Sequence, residues 1–222
     1  GEGVGAGVEG GLSIRRGGQM LPDNPDCSGN RKDLGLETTP LVADGVMYVT
    51  GPHQAIAMDA RTGRAIWRYS RPRTAGLVGD ASLGTNRGAA MLGDKIFMVT
   101  DNAHLIALNR TTGALVWEAV MPDEVQRYGS TVAPLVVKDM VVAGVSGGDW
   151  GIRGFLAAYK ASTGERVWRF WTVPDKGAAG LETWKGKYPE LGGGSTWLTG
   201  SYDSETDTMF WPTATPFPNT DD

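Results

Sequence analysis

The stretch Thr131–Trp171, TVAPLVVKDMVVAGVSGGDWGIRGFLAAYKASTGERVWRFW, decides the fold. Ala133–Ala143 reads as a hairpin of two short β-branched strands, Phe155–Tyr159 as a third strand, and Thr163-Gly164 as a tight turn leading to Trp168. A polar insert carrying Asp149 and Arg153 separates the second strand from the third. Four short strands joined by tight turns make one antiparallel sheet, and the insert is where a site would be placed.

Working outward, the same unit recurs. Ala90–Thr100, His104–Asn109, Thr112-Gly113 and Trp117 form a copy upstream. Pro40–Thr50, Ala55–Asp59, Thr62-Gly63 and Trp67 form another. Trp67, Trp117 and Trp168 are 50 and 51 residues apart. A period near 50 with four strands per unit, marked three times by T-G-x-x-[IV]-W, predicts an all-β, partial β-propeller of about three to four four-stranded blades. Gly63, Gly113 and Gly164 supply the left-handed backbone of the turn, and each Trp on an outer strand fills the gap to a neighbouring sheet. A four-stranded sheet does not bury both its faces alone, so blades stabilise one another by stacking.

Beyond the three units the pattern thins. Thr172–Gly194 reads as a loop, followed by a fourth hairpin of Ser195–Tyr202 and Thr208–Trp211. Residues 1–36 are rich in Gly, Pro, Asp and Asn without a regular period, which predicts an extended or flexible arm before a propeller unit over 37–222. Three units and part of a fourth do not close a ring, which leaves blade faces to be covered.

Composition excludes several classes. A net charge of −4 does not provide a phosphate-binding surface, so no nucleic-acid partner is expected. Cys27 is the only cysteine, so no internal disulfide forms. The apolar runs are too short for a membrane span, and the start carries no charged-then-apolar leader. His53 and His104 lack metal or triad spacing, and Gly192-Gly193-Gly194 precedes strand residues rather than a helix.

The repeats, together with GVSGGDWGIRGFLAAY (144–159), WRFWTVP (168–174) and GGGSTWLTGSYD (192–203), resemble the pyrroloquinoline-quinone (PQQ)-dependent alcohol dehydrogenases. The resemblance runs from Leu36 to Pro218 and covers the N-terminal half of that family's eight-bladed propeller. It implies PQQ and calcium or a lanthanide near the axis, oxidation of primary alcohols, electron transfer to a cytochrome, and a periplasmic setting. It also implies roles for individual residues. Glu37 lies beside the cofactor; Arg87 pairs with a PQQ carboxylate; Thr131 and Ser146 donate to its oxygens; Ser195 makes a polar contact; Trp197 is the floor under the ring. Asp149 and Thr215 fall at metal-ligand positions, where the family has a longer glutamate and an asparagine. Ala81-Ser82 stands where the family has a vicinal disulfide. The catalytic aspartate of the family falls beyond residue 222, so no catalytic residue is expected within this chain.

Each of these positions also has a structural reading. Asp149 could cap a turn with Arg153 in a solvated ion pair, Arg87 could sit on a surface turn, and Trp197 could be core. Three functions follow: part of an active quinoprotein, a catalytically incomplete accessory subunit in a larger extracytoplasmic or membrane-associated complex, or a sugar- or peptide-binding half propeller. Loss of the disulfide cysteines, of the metal-ligand asparagine and of the family's downstream half favours the second, for which tight PQQ binding is not expected and a protein partner covers at least one open blade face.

Overall fold

The computed structural model describes residues 12–15, 19–22, 37–77, 79–123, 127–183 and 192–217. It falls into two units, Gly1–Glu37 and Thr38–Asp222. In the first, strands β1 (Leu12–Arg15) and β2 (Gln19–Pro22) pair antiparallel, with Leu12 opposite Pro22. A hairpin therefore stands inside the stretch expected to be an irregular arm; its segments are too short for a period to register. The remainder of residues 1–36, including Cys27, lies outside the described residues.

The second unit contains three four-stranded antiparallel sheets in simple meander order. They are β3 (Leu41–Ala43), β4 (Val46–Gly51), β5 (Gln54–Asp59) and β6 (Ala65–Ser70); β7 (Ala90–Leu92), β8 (Lys95–Val99), β9 (His104–Asn109) and β10 (Leu115–Val120); and β11 (Leu135–Val137), β12 (Met140–Gly144), β13 (Phe155–Lys160) and β14 (Arg166–Trp171). A two-stranded sheet follows, β15 (Ser201–Asp203) with β16 (Thr208–Phe210). The fourth hairpin is thus shorter than expected. Ser195–Thr199 is not strand, because it crosses between blades instead of pairing with β16.

Burial explains the two strand textures. The middle strands are covered on both faces, so β9 reads as an unbroken apolar run with Leu105–Leu108 fully buried. The last strand of each sheet alternates exposed and half-buried positions, with its Trp half-buried. Phe97, Leu105, Val141, Phe155 and Tyr159 belong to one core shared by the second and third sheets. Burial pushes the Tyr159 hydroxyl up to about 12.

The T-G-x-x-[IV]-W signature has a geometric content that its letters do not give. Opposite each turn the register slips by one residue, between Ala57/Met58, Leu115/Trp117 and Ala158/Tyr159. Ile66, Val116 and Val167 are the extra residues of three equivalent β-bulges, and all three are exposed. The Trp that follows each bulge is aimed at the next sheet. The Trp67 indole lies on Gly113, where a Cβ would come within 2.5 Å of the ring, and its Nε1–H donates to the Arg110 carbonyl at 2.9 Å. Trp117 repeats this on Gly164, at 2.6 Å, and donates to the Ala161 carbonyl at 3.1 Å. The turn glycine therefore does two things: it takes φ near +73°, and it leaves a flat seat for the preceding blade's indole.

Candidate functional site

The segments that run between sheets are stitched to one another by backbone hydrogen bonds. Thr39 pairs with Gly88 and donates to the Arg87 carbonyl at 3.0 Å, while the Arg87 N–H donates to the Thr131 carbonyl at 3.0 Å. Gly129 and Ser146 exchange both backbone bonds, and Thr196 donates to the Val145 carbonyl at 2.9 Å. Gly193 bridges to Arg153 and to Pro216. This lattice of crossing segments carries nearly all the residues that the resemblance singled out.

Three residues to which the sequence reading gives no site role fix its geometry. Buried Asn86 accepts from the Thr50 hydroxyl at 2.7 Å and from the Gly88 N–H, and donates to the Val99 carbonyl, which sets the backbone on either side of Arg87. The fully buried Thr196 hydroxyl accepts from the Val145 N–H at 2.9 Å and donates to the Phe155 carbonyl at 2.6 Å. That anchors Ser195 and Trp197 on either side of it. Trp211 packs its ring on Gly200 and donates to the Thr196 carbonyl at 3.3 Å. A buried Asn beside an Arg, and a Thr between Ser and Trp, are the only sequence traces these roles leave.

The Arg87 guanidinium stands over the Trp197 ring, 4.5 Å from its centroid. Its Nη1 points to the Thr131 carbonyl at 3.4 Å. Arg87 and Trp197, 110 positions apart, thus form a cation–π stack. Ser146 is buried, and its hydroxyl has no hydrogen-bond partner among the described residues. A buried orphan hydroxyl costs free energy unless a ligand or solvent oxygen meets it. Ser195 is buried against Gly148, where an added Cβ would sit 2.9 Å from its hydroxyl. Ala81 packs on Gly129, beside Ser146.

The two positions that the resemblance assigns to a metal are built differently. Asp149 is exposed in the 3-10 turn Gly148–Trp150, between left-handed Gly147 and Gly151. Thr215 is exposed, and its carbonyl accepts from the Gly194 N–H at 3.0 Å. Among the described residues no group of three or more His, Cys, Asp or Glu is placed to hold a metal ion. Arg153 is committed elsewhere: it pairs with Asp175 at 2.5 Å, donates to the Val173 carbonyl, and covers the Trp171 ring at 4.3 Å. Glu37 belongs to the N-terminal unit, where it is exposed. Among the described residues no helix is long and apolar enough to cross a membrane.

Stacked meander sheets with bulge-aimed tryptophans, joined by crossing segments that bring Arg87 over Trp197, define part of a β-propeller. Residues 20–220 match the model of the PQQ glucose/ethanol/alcohol dehydrogenase β-propeller domain, and the chain belongs to that family. It is similar to the quinohemoprotein alcohol dehydrogenase ADH IIB of Pseudomonas putida, 41% identical over 190 residues, covering 79% of this chain and 27% of that protein. It is also similar to the lanthanide-dependent methanol dehydrogenase of Methylacidiphilum fumariolicum, 37% identical over 205 residues, covering 82% of this chain and 34% of that protein. The solved structure of the quinohemoprotein alcohol dehydrogenase ADHIIG from Pseudomonas putida HK5 superposes with a TM-score of 0.74 at 34% identity, over 84% of this chain and 29% of that one. The chain thus spans about a third or less of the length of these relatives.

Proposed function

We propose that this chain supplies PQQ-holding blades of a quinoprotein alcohol dehydrogenase. The observation that carries this reading is the buried Ser146 hydroxyl, without a hydrogen-bond partner among the described residues, on a segment stitched through Gly129–Thr131 to that of Arg87, which stacks on Trp197. PQQ is flat, carries carboxylates and quinone oxygens, and needs a platform, a guanidinium and hydroxyl donors. Trp197 offers the platform, Arg87 the carboxylate partner, Ser146 the free donor, and Thr131 and Ser195 further polar walls. When bound, PQQ supplies the two-electron chemistry of alcohol oxidation. The chain's own residues bind it, orient it and keep water from its faces.

The metal ligands are less well matched. A hard cation takes about six to eight oxygens. Asp149 brings one carboxylate and Thr215 a neutral hydroxyl, so calcium or a lanthanide needs further ligands beyond these two. That mismatch favours a second reading, an accessory or structural subunit that kept the cofactor cradle without turnover. In either case the chain works beside protein partners in an extracytoplasmic, periplasmic setting, with a cytochrome as electron acceptor if turnover occurs.

Titration of the purified chain with PQQ, with calcium or a lanthanide present, tests the cradle. Stoichiometric uptake, seen as quenched tryptophan emission, is the expected result. No uptake at high micromolar PQQ overturns the first reading and leaves the scaffold role. Dye-linked oxidation of a primary alcohol by the loaded chain would overturn the second.

A further inference from the structure

Most of the large apolar side chains left exposed lie on strands, at bulges or sheet edges, where the meander itself accounts for them. Trp150 is different. It ends the 3-10 turn Gly148–Trp150 in the polar insert, and it is 54% exposed. The turn is wedged in place: Gly147 packs on Ile152, Gly148 on Ser195, and Gly151 on Phe217. The indole is thus presented from a fixed platform.

It reaches across to the segment between the first two sheets. A Cβ on Gly79 would lie 3.0 Å from Trp150 Cδ1 and 3.1 Å from Nε1, so the pyrrole edge of the indole rests on that glycine. Gly79 in turn anchors the turn Asp80–Leu83 by accepting from the Ser82 N–H and hydroxyl, at 3.0 and 2.6 Å. Ala81 of that turn packs on Gly129, next to the orphan Ser146 hydroxyl. Leu83, 57% exposed, adds a second apolar side chain on the same turn. Trp150, one residue from Asp149, therefore joins its own turn to the Gly79–Leu83 segment, whose Ala81 packs on Gly129 beside the Ser146 hydroxyl, and more than half of its surface is open. A rigid indole in that state has area to give to a ligand.

We propose that Trp150 is the aromatic lid of the PQQ site, covering the ligand and closing it to solvent. This rests on the cofactor reading given above. Trp150 touches the ligand and takes no part in proton or electron transfer, so its loss acts on retention and solvent exposure of bound PQQ.

The test compares wild type, Trp150→Ala and Trp150→Phe for PQQ affinity and for quenching of bound PQQ fluorescence by acrylamide. Trp150→Ala is expected to bind roughly three- to tenfold more weakly, the fold-change an aromatic contact supports, with bound PQQ more open to the quencher. Trp150→Phe is expected to fall between the two. Wild type and Trp150→Ala binding with equal affinity and equal quenching would overturn the lid while leaving the cofactor reading intact. No binding by wild type would overturn the cofactor reading, and the lid with it. If Trp150→Ala does not fold, Trp150→Gln keeps bulk without an aromatic face and gives the same comparison.

Discussion

The seats between blades and the crossing segments at the site are built by opposite rules. At the seats every strong group is used: the Trp67 and Trp117 rings lie flat on Gly113 and Gly164, and each indole N–H has a carbonyl. At the site groups are held in place with capacity to spare. Asn86 and Thr196 are held by buried hydrogen bonds, whereas the buried Ser146 hydroxyl has none among the described residues, and a cation lies over a half-buried indole. The seats satisfy their own indole N–H groups, whereas the crossing segments leave a buried hydroxyl unpartnered among the described residues, as the cofactor reading proposed above requires.

Substitution at a seat is the severest way to break this contrast. Gly164→Ala places a Cβ 2.6 Å from the Trp117 ring at a φ of +76°. It is expected to cost about 3 kcal/mol or more, from left-handed strain and overpacking together, measured by denaturant unfolding. Gly63 has the same turn geometry with no described atom within 4 Å, so Gly63→Ala is expected to cost only about 1 kcal/mol. Equal losses at the two glycines would refute the docking role.

Thr196→Val probes the saturated frame of the site. It removes two buried hydrogen bonds and is expected to cost about 2–3 kcal/mol. It is also expected to loosen Trp197, read as a change in that ring's accessibility to a collisional quencher.

A pH scan sharpens the contrast from the scaffold side. Burial holds His53 below its ordinary 6.5; Asp101 opposes this, and Arg73 and Arg71 reinforce it. Arg73 Nε–H donates to His53 Nε2 at 3.1 Å, a bond that requires the neutral ring. Because the folded value is the lower one, the unfolded chain binds the proton first as pH falls. Stability is therefore expected to be fully present above pH 6.5 and to decline below it, with the decline from this group absent in His53→Gln.

The smallest expected stability effect falls at the site itself. Ser146→Ala deletes a hydroxyl that bonds to nothing among the described residues, so stability is expected to stay within about 0.5 kcal/mol of wild type. PQQ affinity is expected to fall roughly tenfold, as for one lost hydrogen bond in a dry site. A stability loss without a change in affinity would make Ser146 scaffold and erase the distinction.

Strand number, turn positions and blade period were legible because each rests on local chemistry: apolar runs, Asp-Gly and Thr-Gly turns, and a Trp at fixed spacing. The bulges at Ile66, Val116 and Val167 were hidden inside that motif, since one extra residue changes register without changing composition. The short β15 and the loss of strand at Ser195–Thr199 were hidden too, because Thr196 prefers partners in Val145 and Phe155 to its own hairpin. The site divides in the same way. Arg87, Thr131, Ser146, Ser195 and Trp197 could be picked out by their motifs, and the sequence alone determined which chemistries were present. Only the tertiary structure decided that Arg87 meets Trp197, that Ser146 is left without a partner, and that Trp150 leans on Gly79. The physical reason is range: turns and strands are set by neighbours along the chain, whereas these contacts join residues about 70 to 110 positions apart, through backbone bonds between blades that no local pattern encodes.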